Sequence, residues 1–221
     1  IFLGYDPREA VSYHVAAHSI LRLSSIPIEI TPLALCNLTG DFKRDRDALQ
    51  STDFSFTRFL VPYLCDYRGW AVFMDCDVLV RTDISELGSM CNLSNAYKAV
   101  YVVKHDYTPK DEVKFLGETQ SKYQKKNWSS VMLFNNSRCR KLTPEFVNQA
   151  PGLALHQFTW TTEDQIGSLD KEWNHLVGEE PENPKAKIVH FTRGGPWFRE
   201  YAKGEFSGEW FDEYESMSQP L

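Results

Sequence analysis

The sequence predicts a single α/β domain built on one mixed β-sheet. Short apolar runs alternate with segments of helical spacing, the pattern of strands joined by helical crossovers. Apolar residues make up 42% of the 221 positions, enough to fill a sizeable core. No apolar run approaches the ~20 residues that a membrane span needs, so no transmembrane segment is expected.

The first strand is expected over residues 1–5, "IFLGY". Asp6-Pro7 ends it, and Pro7 suits the first turn of a helix, where its missing N–H is no loss. Residues 8–23 place Val11, Val15 and Leu21, with Ala10, Ala17 and Ile20, at helical spacing. Residues 26–34 alternate as a second strand, with Ile26, Ile28 and Ile30 on one face. Residues 37–53 are polar and read as a loop, 55–66 as a helix, and 70–74 as a buried strand. Further strands are expected at 96–103 and 129–134. They flank the Lys-rich segment 105–128, whose length in a compact domain points to function or mobility. Residues 143–149 and 162–169 read as short helices, and "KIVHF" (187–191) as a late strand. From Phe198 onward the chain reads as an aromatic, acidic tail.

The net charge of −6 argues against a general nucleic-acid binder, so no nucleic-acid partner is expected. The five cysteines are odd in number and form no C-x-x-C pair, which argues against a disulfide framework or a zinc ribbon. Reduced thiols make a cytoplasmic location the expectation.

The chemistry concentrates in "VFMDCDVLV" (72–80), an apolar strand ending in Asp75 and Asp77. Burying a carboxylate costs several kcal/mol unless it is paired or binds a metal. A turn there can aim both carboxylates at one divalent ion, and the carboxyl end of a strand is where ligands bind in open α/β sheets. His190 ends a second apolar strand in "VHFTRGGPWF" (189–198). Gly194-Gly195 would let the backbone approach a ligand, and exposed N–H groups there, with Arg193, could receive phosphate oxygens. The two strand ends together point to a metal held by Asp75, Asp77 and His190, with a diphosphate completing its shell. Hard oxygen ligands suit Mg²⁺ or Mn²⁺, and the imidazole favours Mn²⁺. The plainer alternatives are a capping aspartate and a structural histidine in a Gly-Gly-Pro turn.

In this order, the "FLGYD" strand, Arg58 placed 17 residues before Asp75, the strand "NWSSVMLFN", the pair Asp164-Gln165 and the C-terminal "HF…PW" resemble glycosyltransferase family 8. That family includes enzymes related to glycogenin and bacterial lipopolysaccharide galactosyltransferases. The resemblance runs from Ile1 to Phe198. It implies a GT-A fold, a Rossmann-like nucleotide-binding mixed sheet flanked by helices. Residues 1–104 would form the nucleotide-binding half and 105–221 the acceptor half carrying the metal-binding histidine. It also implies a metal-dependent enzyme using a nucleotide-sugar donor, with UDP suggested by the resemblance alone. The sugar would pass with retention to a hydroxyl on a glycan, lipid-linked or protein acceptor.

By the same resemblance, Tyr5 and Asp6 lie near the nucleobase and ribose, and Arg58 near the donor sugar and phosphate. Cys76 sits within the donor-binding D-x-D, Ser129 lines the donor sugar, and Asp164 and Gln165 flank the anomeric carbon. Arg193, Gly194 and Gly195 would stand where the family carries a diphosphate-binding Lys. The chain departs from the family pattern at Trp128, where Asn is usual, and in its shorter segment before Pro196-Trp197.

Two other readings compete. A phosphotransferase of the haloacid dehalogenase type shares the strand-D-x-D signature, but a Gly-Thr normally follows it, and here Val78-Leu79 does. A non-catalytic nucleotide-sugar binding module would keep the donor residues without the transfer. His14 and His18 are spaced as an inward-facing pair on the first helix and read as core histidines. His105, His156 and His175 have no evident partners in sequence. Trp128, Trp160 or Trp197 could stack on an acceptor sugar ring.

Overall fold

The computed structural model describes residues 1–47, 50–106 and 124–218. Its main sheet has six strands in the order β2-β1-β3-β6-β5-β7, namely Thr31–Ala34, Phe2–Tyr5, Trp70–Met74, Val131–Asn135, Val100–Val103 and Ile166–Leu169. Strand β1 runs parallel to β2 and β3, β6 is antiparallel to β3 and β5, and β7 is parallel to β5. The sheet is therefore mixed, as the sequence predicts. A second sheet, β4-β9-β8, joins Val78–Val80, Ile188–His190 and His175–Leu176.

Alternation along the central strands fills both faces of the main sheet. Phe73, Met132, Phe134, Val100 and Val102 face one cluster with Phe54, Phe59 and Phe158. Met74, Val131, Leu133, Tyr101 and Val103 face the other, against Leu3 and Ile20. A sheet covered on both sides explains why these strands read as continuous apolar runs.

Helix α1 (Ala10–Leu23) follows a 3₁₀ turn at Pro7–Glu9, which Asp6 caps through the Arg8 N–H. Its buried stripe includes two serines. The Ser12 hydroxyl donates to the Cys76 carbonyl at 2.7 Å, and the Val80 N–H donates to Ser19 Oγ at 3.2 Å. Small polar residues thus let α1 lie close against the D-x-D turn and β4. The helix expected over 55–66 is a 3₁₀ turn, Thr57–Leu60, followed by the short α2, Val61–Leu64. Asp66 and Tyr67, both left-handed at φ 51° and 54°, follow it before β3.

Two expectations need correction. The strand expected over 26–34 is formed only by Thr31–Ala34, and Ile26 is exposed. Pro27 has no N–H to give a ladder. Residues 162–169 are not a helix: a 3₁₀ turn at Glu163–Gln165 leads straight into β7. There the missing Cβ of Gly167 makes room for the Tyr101 ring, which an added Cβ would meet at 2.3 Å. Val78–Val80 form a strand of their own, β4. The aromatic, acidic tail contains helix α5 (Ser207–Ser218), whose Trp210 packs under β4 and β9 with Val15, Leu79 and Val189.

Two short helices, α3 (Pro144–Gln149) and α4 (Gly152–His156), complete the α-helices among the described residues. Most of the segment 105–128, namely 107–123, lies outside the described residues. Among the described residues no helix is long and apolar enough to cross a membrane. All five cysteines are free thiols.

Candidate active site

The D-x-D turn is where the chain leaves one sheet for the other. The Asp75 N–H donates to the Ser130 carbonyl at 2.9 Å, extending the β3–β6 ladder by one residue. The Asp77 carbonyl accepts from the Phe191 N–H at 2.9 Å, extending the β4–β9 ladder. Between them Cys76 is fully buried, so the two aspartates flank an inward-facing residue. The antiparallel register sets His190 opposite Val78 and hence beside Asp77.

His190 Nε2 lies 3.3 Å from Asp77 Oδ1 and 4.0 Å from Asp75 Oδ2. One ligand atom from each of the three residues falls within 4.8 Å of the others. Two carboxylates and one imidazole converging this tightly fit a divalent cation of the Mg²⁺ or Mn²⁺ class.

Arg58 belongs to the same cluster. It is 5% exposed, not a surface helix residue. Its Nη1 lies 2.6 Å from Asp75 Oδ1 and donates to the Ser129 carbonyl at 2.8 Å. The guanidinium also sits 4.9 Å from the Phe73 ring centroid, a cation–π contact in a desolvated place.

These groups line a cleft of about 490 Å³. Arg44 and Lys126 add positive charge to its wall, and Phe56 and Leu153 add apolar surface. His156, from α4, also lines it and is half-buried. Its Nδ1 lies 2.8 Å from Ser129 Oγ. Burial, reinforced by the charges of Arg58, Lys126 and Arg44, holds its imidazole well below 6.5, so it is neutral. No periodicity marks His156, Arg44 or Lys126 in sequence; an isolated His in "LALHQF" is the only hint.

Of the residues picked from sequence, the cleft brings together Arg58, Asp75, Asp77, Ser129 and His190. The others are not among its lining residues. Tyr5 stacks edge-on against Tyr13, with ring centroids 5.3 Å apart. Asp6 is 1% exposed, and both its oxygens accept hydrogen bonds, from Arg8 and from the Asp53 N–H. Burial pushes the Asp6 carboxyl up, but the hydrogen bonds from Arg8 and Asp53 outweigh it and hold it below its ordinary 3.8. Its capping role is thus occupied by the protein itself. Cys76 faces the core, where burial pushes its thiol far up.

Arg193 lies with its Nε 3.9 Å from the buried Glu179. Gly194 adopts φ 130°, which favours glycine. At Gly195 an added Cβ would fall 1.9 Å from the Trp197 ring, so the glycine is needed for that ring to pack. Trp197 in turn lies 5.4 Å from Trp210 of α5. Gly195→Ala is therefore expected to destabilise the fold by about 1–3 kcal/mol, as overpacking does. A denaturant melt checks this, and an unchanged midpoint would mean that Trp197 has another place to go.

Asp164 and Gln165 lead into β7 and are not among the residues lining the cleft. The Ala99 N–H donates to the Gln165 carbonyl at 2.9 Å, and the Asn135 N–H to the Ala99 carbonyl at 3.0 Å. Asn135 pairs with Trp70, at the start of β3, whereas Asp75 follows its end. The neighbouring Glu163 pairs with Lys125, next to the cleft-lining Lys126. Asp164 is exposed, and its carbonyl accepts from Lys98.

The remaining histidines also differ from expectation. His14 is exposed, and His18 Nδ1 lies 2.6 Å from Glu213 Oε1 of α5. His105 has Glu180 at 3.2 Å, and His175 has Glu205 at 2.7 Å. Trp160 is buried, and neither it nor Trp128 or Trp197 is among the residues lining the cleft.

No protein-family model matches the chain. Protein CDI of Arabidopsis thaliana is 45% identical over 228 residues, covering 99% of this chain and 87% of that protein. Among solved structures, the apo WbbM bifunctional glycosyltransferase matches with a TM-score of 0.65 and 17% identity, over 96% of this chain. This chain spans 49% of that one. The galactosyltransferase LgtC, in complex with donor and acceptor sugar analogues, matches with a TM-score of 0.59 and 13% identity, over 100% of this chain and 96% of LgtC. GlyE of Streptococcus pneumoniae matches with a TM-score of 0.59 and 15% identity, over 98% of this chain and 61% of GlyE. The mixed sheet and its D-x-D turn thus form a GT-A glycosyltransferase fold, and the chain belongs to the family of Arabidopsis thaliana Protein CDI.

Proposed function

We propose that this chain is a metal-dependent glycosyltransferase that moves a sugar from a nucleoside diphosphate sugar, by resemblance a UDP-sugar, to a hydroxyl acceptor. The observation that carries the reading is the Asp75–Asp77–His190 cluster on a cleft of the GT-A fold. A divalent cation there, with Mn²⁺ preferred, would offset charge on the departing diphosphate.

The chain's own residues supply the rest. Arg58 pairs with Asp75 and holds it aimed at the cluster. Arg44 and Lys126 line the cleft and suit phosphate oxygens. Lys126 takes the part that the resemblance gives to Arg193, and the Ser129–His156 pair takes the sugar-facing part that it gives to Asp164 and Gln165. A neutral imidazole and a hydroxyl can hydrogen-bond sugar hydroxyls without adding charge. Leu153 and Phe56 offer an apolar wall for the flat face of a sugar ring. Retention follows from the resemblance, and the anomeric proton coupling of the product tests it. The ion pair between Arg58 and Asp75 lowers the nucleophilicity that a phosphotransferase would need from that carboxylate.

A thermal-shift panel of nucleoside diphosphate sugars, with and without Mn²⁺, tests the assignment. A donor at 100 times its Kd stabilises the folded state by about 2.7 kcal/mol. For a chain of this size that is a rise of roughly 5–11 °C in Tm. The rise is expected for one UDP-sugar, only with the metal, and is reversed by EDTA. If no nucleotide sugar shifts Tm, the donor assignment is lost.

A further inference from the structure

His190 is backed by a buried hydrogen-bonded chain running away from the cleft. Asn174 ends the 3₁₀ turn Lys171–Asn174 and is 0% exposed. Its Oδ1 lies 3.2 Å from His190 Nδ1. Its Nδ2 lies 3.3 Å from the Asn127 carbonyl, 2.9 Å from Ser130 Oγ and 3.1 Å from His105 Nε2.

The Asn174 amide has two N–H protons for these three partners: one is shared between the Asn127 carbonyl and Ser130 Oγ, and the other goes to His105 Nε2. A backbone carbonyl only accepts, so the amide nitrogen must face Asn127. The Ser130 hydroxyl gives its proton to that same carbonyl at 2.7 Å and so accepts from Asn174. The amide oxygen is then left facing His190, and only a donor can face it. His190 therefore carries its proton on Nδ1 and its lone pair on Nε2, the atom beside Asp75 and Asp77. Behind Asn174, His105 accepts at Nε2 and donates from Nδ1 to Glu180 Oε1 at 3.2 Å. Burial raises the Glu180 carboxyl, but the His105 hydrogen bond outweighs it and keeps the carboxylate ionised and accepting.

This arrangement opposes a local preference. With a proton on Nε2, His190 would simply hydrogen-bond Asp77 Oδ1 at 3.3 Å and close the site. We infer that Asn174 is a positioning residue that holds His190 in the Nδ1–H tautomer, so that Nε2 is presented to a divalent cation between Asp75 and Asp77. His105 and Glu180 hold the Asn174 amide in turn. The cation part of this role rests on the metal reading above; the tautomer part does not. Outer-shell partners of a ligating histidine typically contribute 10–100-fold in metal affinity.

Two measurements test it. The first is a long-range ¹H–¹⁵N correlation spectrum of the metal-free full chain at about pH 8, where a histidine of ordinary pKa is neutral. Wild type is expected to show His190 with Nε2 unprotonated. An Nε2–H signal overturns the proposal, whether or not any variant folds. The second is Mn²⁺ binding followed by electron paramagnetic resonance. Wild type carries the Asn174 oxygen that faces His190 and is the reference. Asn174→Leu removes it and should bind about 10–100-fold more weakly. Equal binding by Asn174→Leu overturns this role alone. A wild-type chain that binds no Mn²⁺ overturns the metal reading and, with it, the cation part of this role.

Discussion

Asp77→Ala is expected to reduce donor turnover by about a thousandfold or more while leaving the protein folded. A metal stabilises the departing diphosphate by several kcal/mol, and ~4 kcal/mol corresponds to about 10³ in rate. Asp77 contributes one of only two carboxylates in the cluster. Its neighbour across the cluster is His190, which keeps its contact with Asn174 when Asp77 is lost. Removing one of two crowded carboxylates also relieves like-charge repulsion, so the metal-free melting temperature should hold or rise. Donor hydrolysis by wild type should vanish in EDTA and return with Mn²⁺, whereas Asp77→Ala should stay inactive at any metal concentration. Wild-type turnover undiminished in EDTA would remove the metal from the mechanism.

Arg58→Ala is expected to damage stability as well as rate. Breaking a buried ion pair from one side leaves the other charge uncompensated and costs about 3–5 kcal/mol. For a domain of this length that lowers Tm by roughly 6–20 °C. Asp75 is the charge left behind, 2.6 Å from where the guanidinium was. Turnover should also fall, by roughly 30- to 1000-fold for a loss of ~2–4 kcal/mol at the leaving group. Saturating Mn²⁺ should restore more of the lost Tm in this variant than it adds to wild type, because the cation offsets the stranded carboxylate. A Tm within about 2 °C of wild type would show that Asp75 is solvated well enough to stand without Arg58. The converse substitution, Asp75→Ala, strands Arg58 and should be less stable than Asp77→Ala for the same reason.

Much of the fold was legible because its signals are local. Strand β3 reads directly from "WAVFM", and its faces separate by simple alternation. The cluster was legible because an aspartate pair at a strand end and a histidine at another carry a cost that needs a purpose. What was not legible depended on partners distant in sequence. Helix α5 reads as an acidic tail because its buried Glu213 looks like a surface residue. Only α1, with His18 and Arg22 closing on that carboxylate at 2.6 Å each, makes it an interior one. Asp164 and Gln165 are off the cleft lining, and motif order alone does not say how a turn meets its neighbours; the parallel pairing of β7 with β5 does. Asn174 carried no signal, since a single asparagine in "KEWNHL" looks like any turn residue.

The pairing of Val78 with His190 has a consequence for how the protein is made. The D-x-D turn and its histidine lie more than a hundred residues apart and meet only through the β4–β9 ladder. Such a long-range closure is slow, because its entropy is spent before any contact forms. On a ribosome, the two aspartates emerge well before the strand that completes their cluster. The nascent N-terminal half must therefore hold a pair of acidic side chains with no imidazole beside them. Divalent cation affinity should appear late in refolding, after the main sheet has gained its hydrogen-exchange protection. Metal capture then reports the last docking event of the chain rather than its collapse.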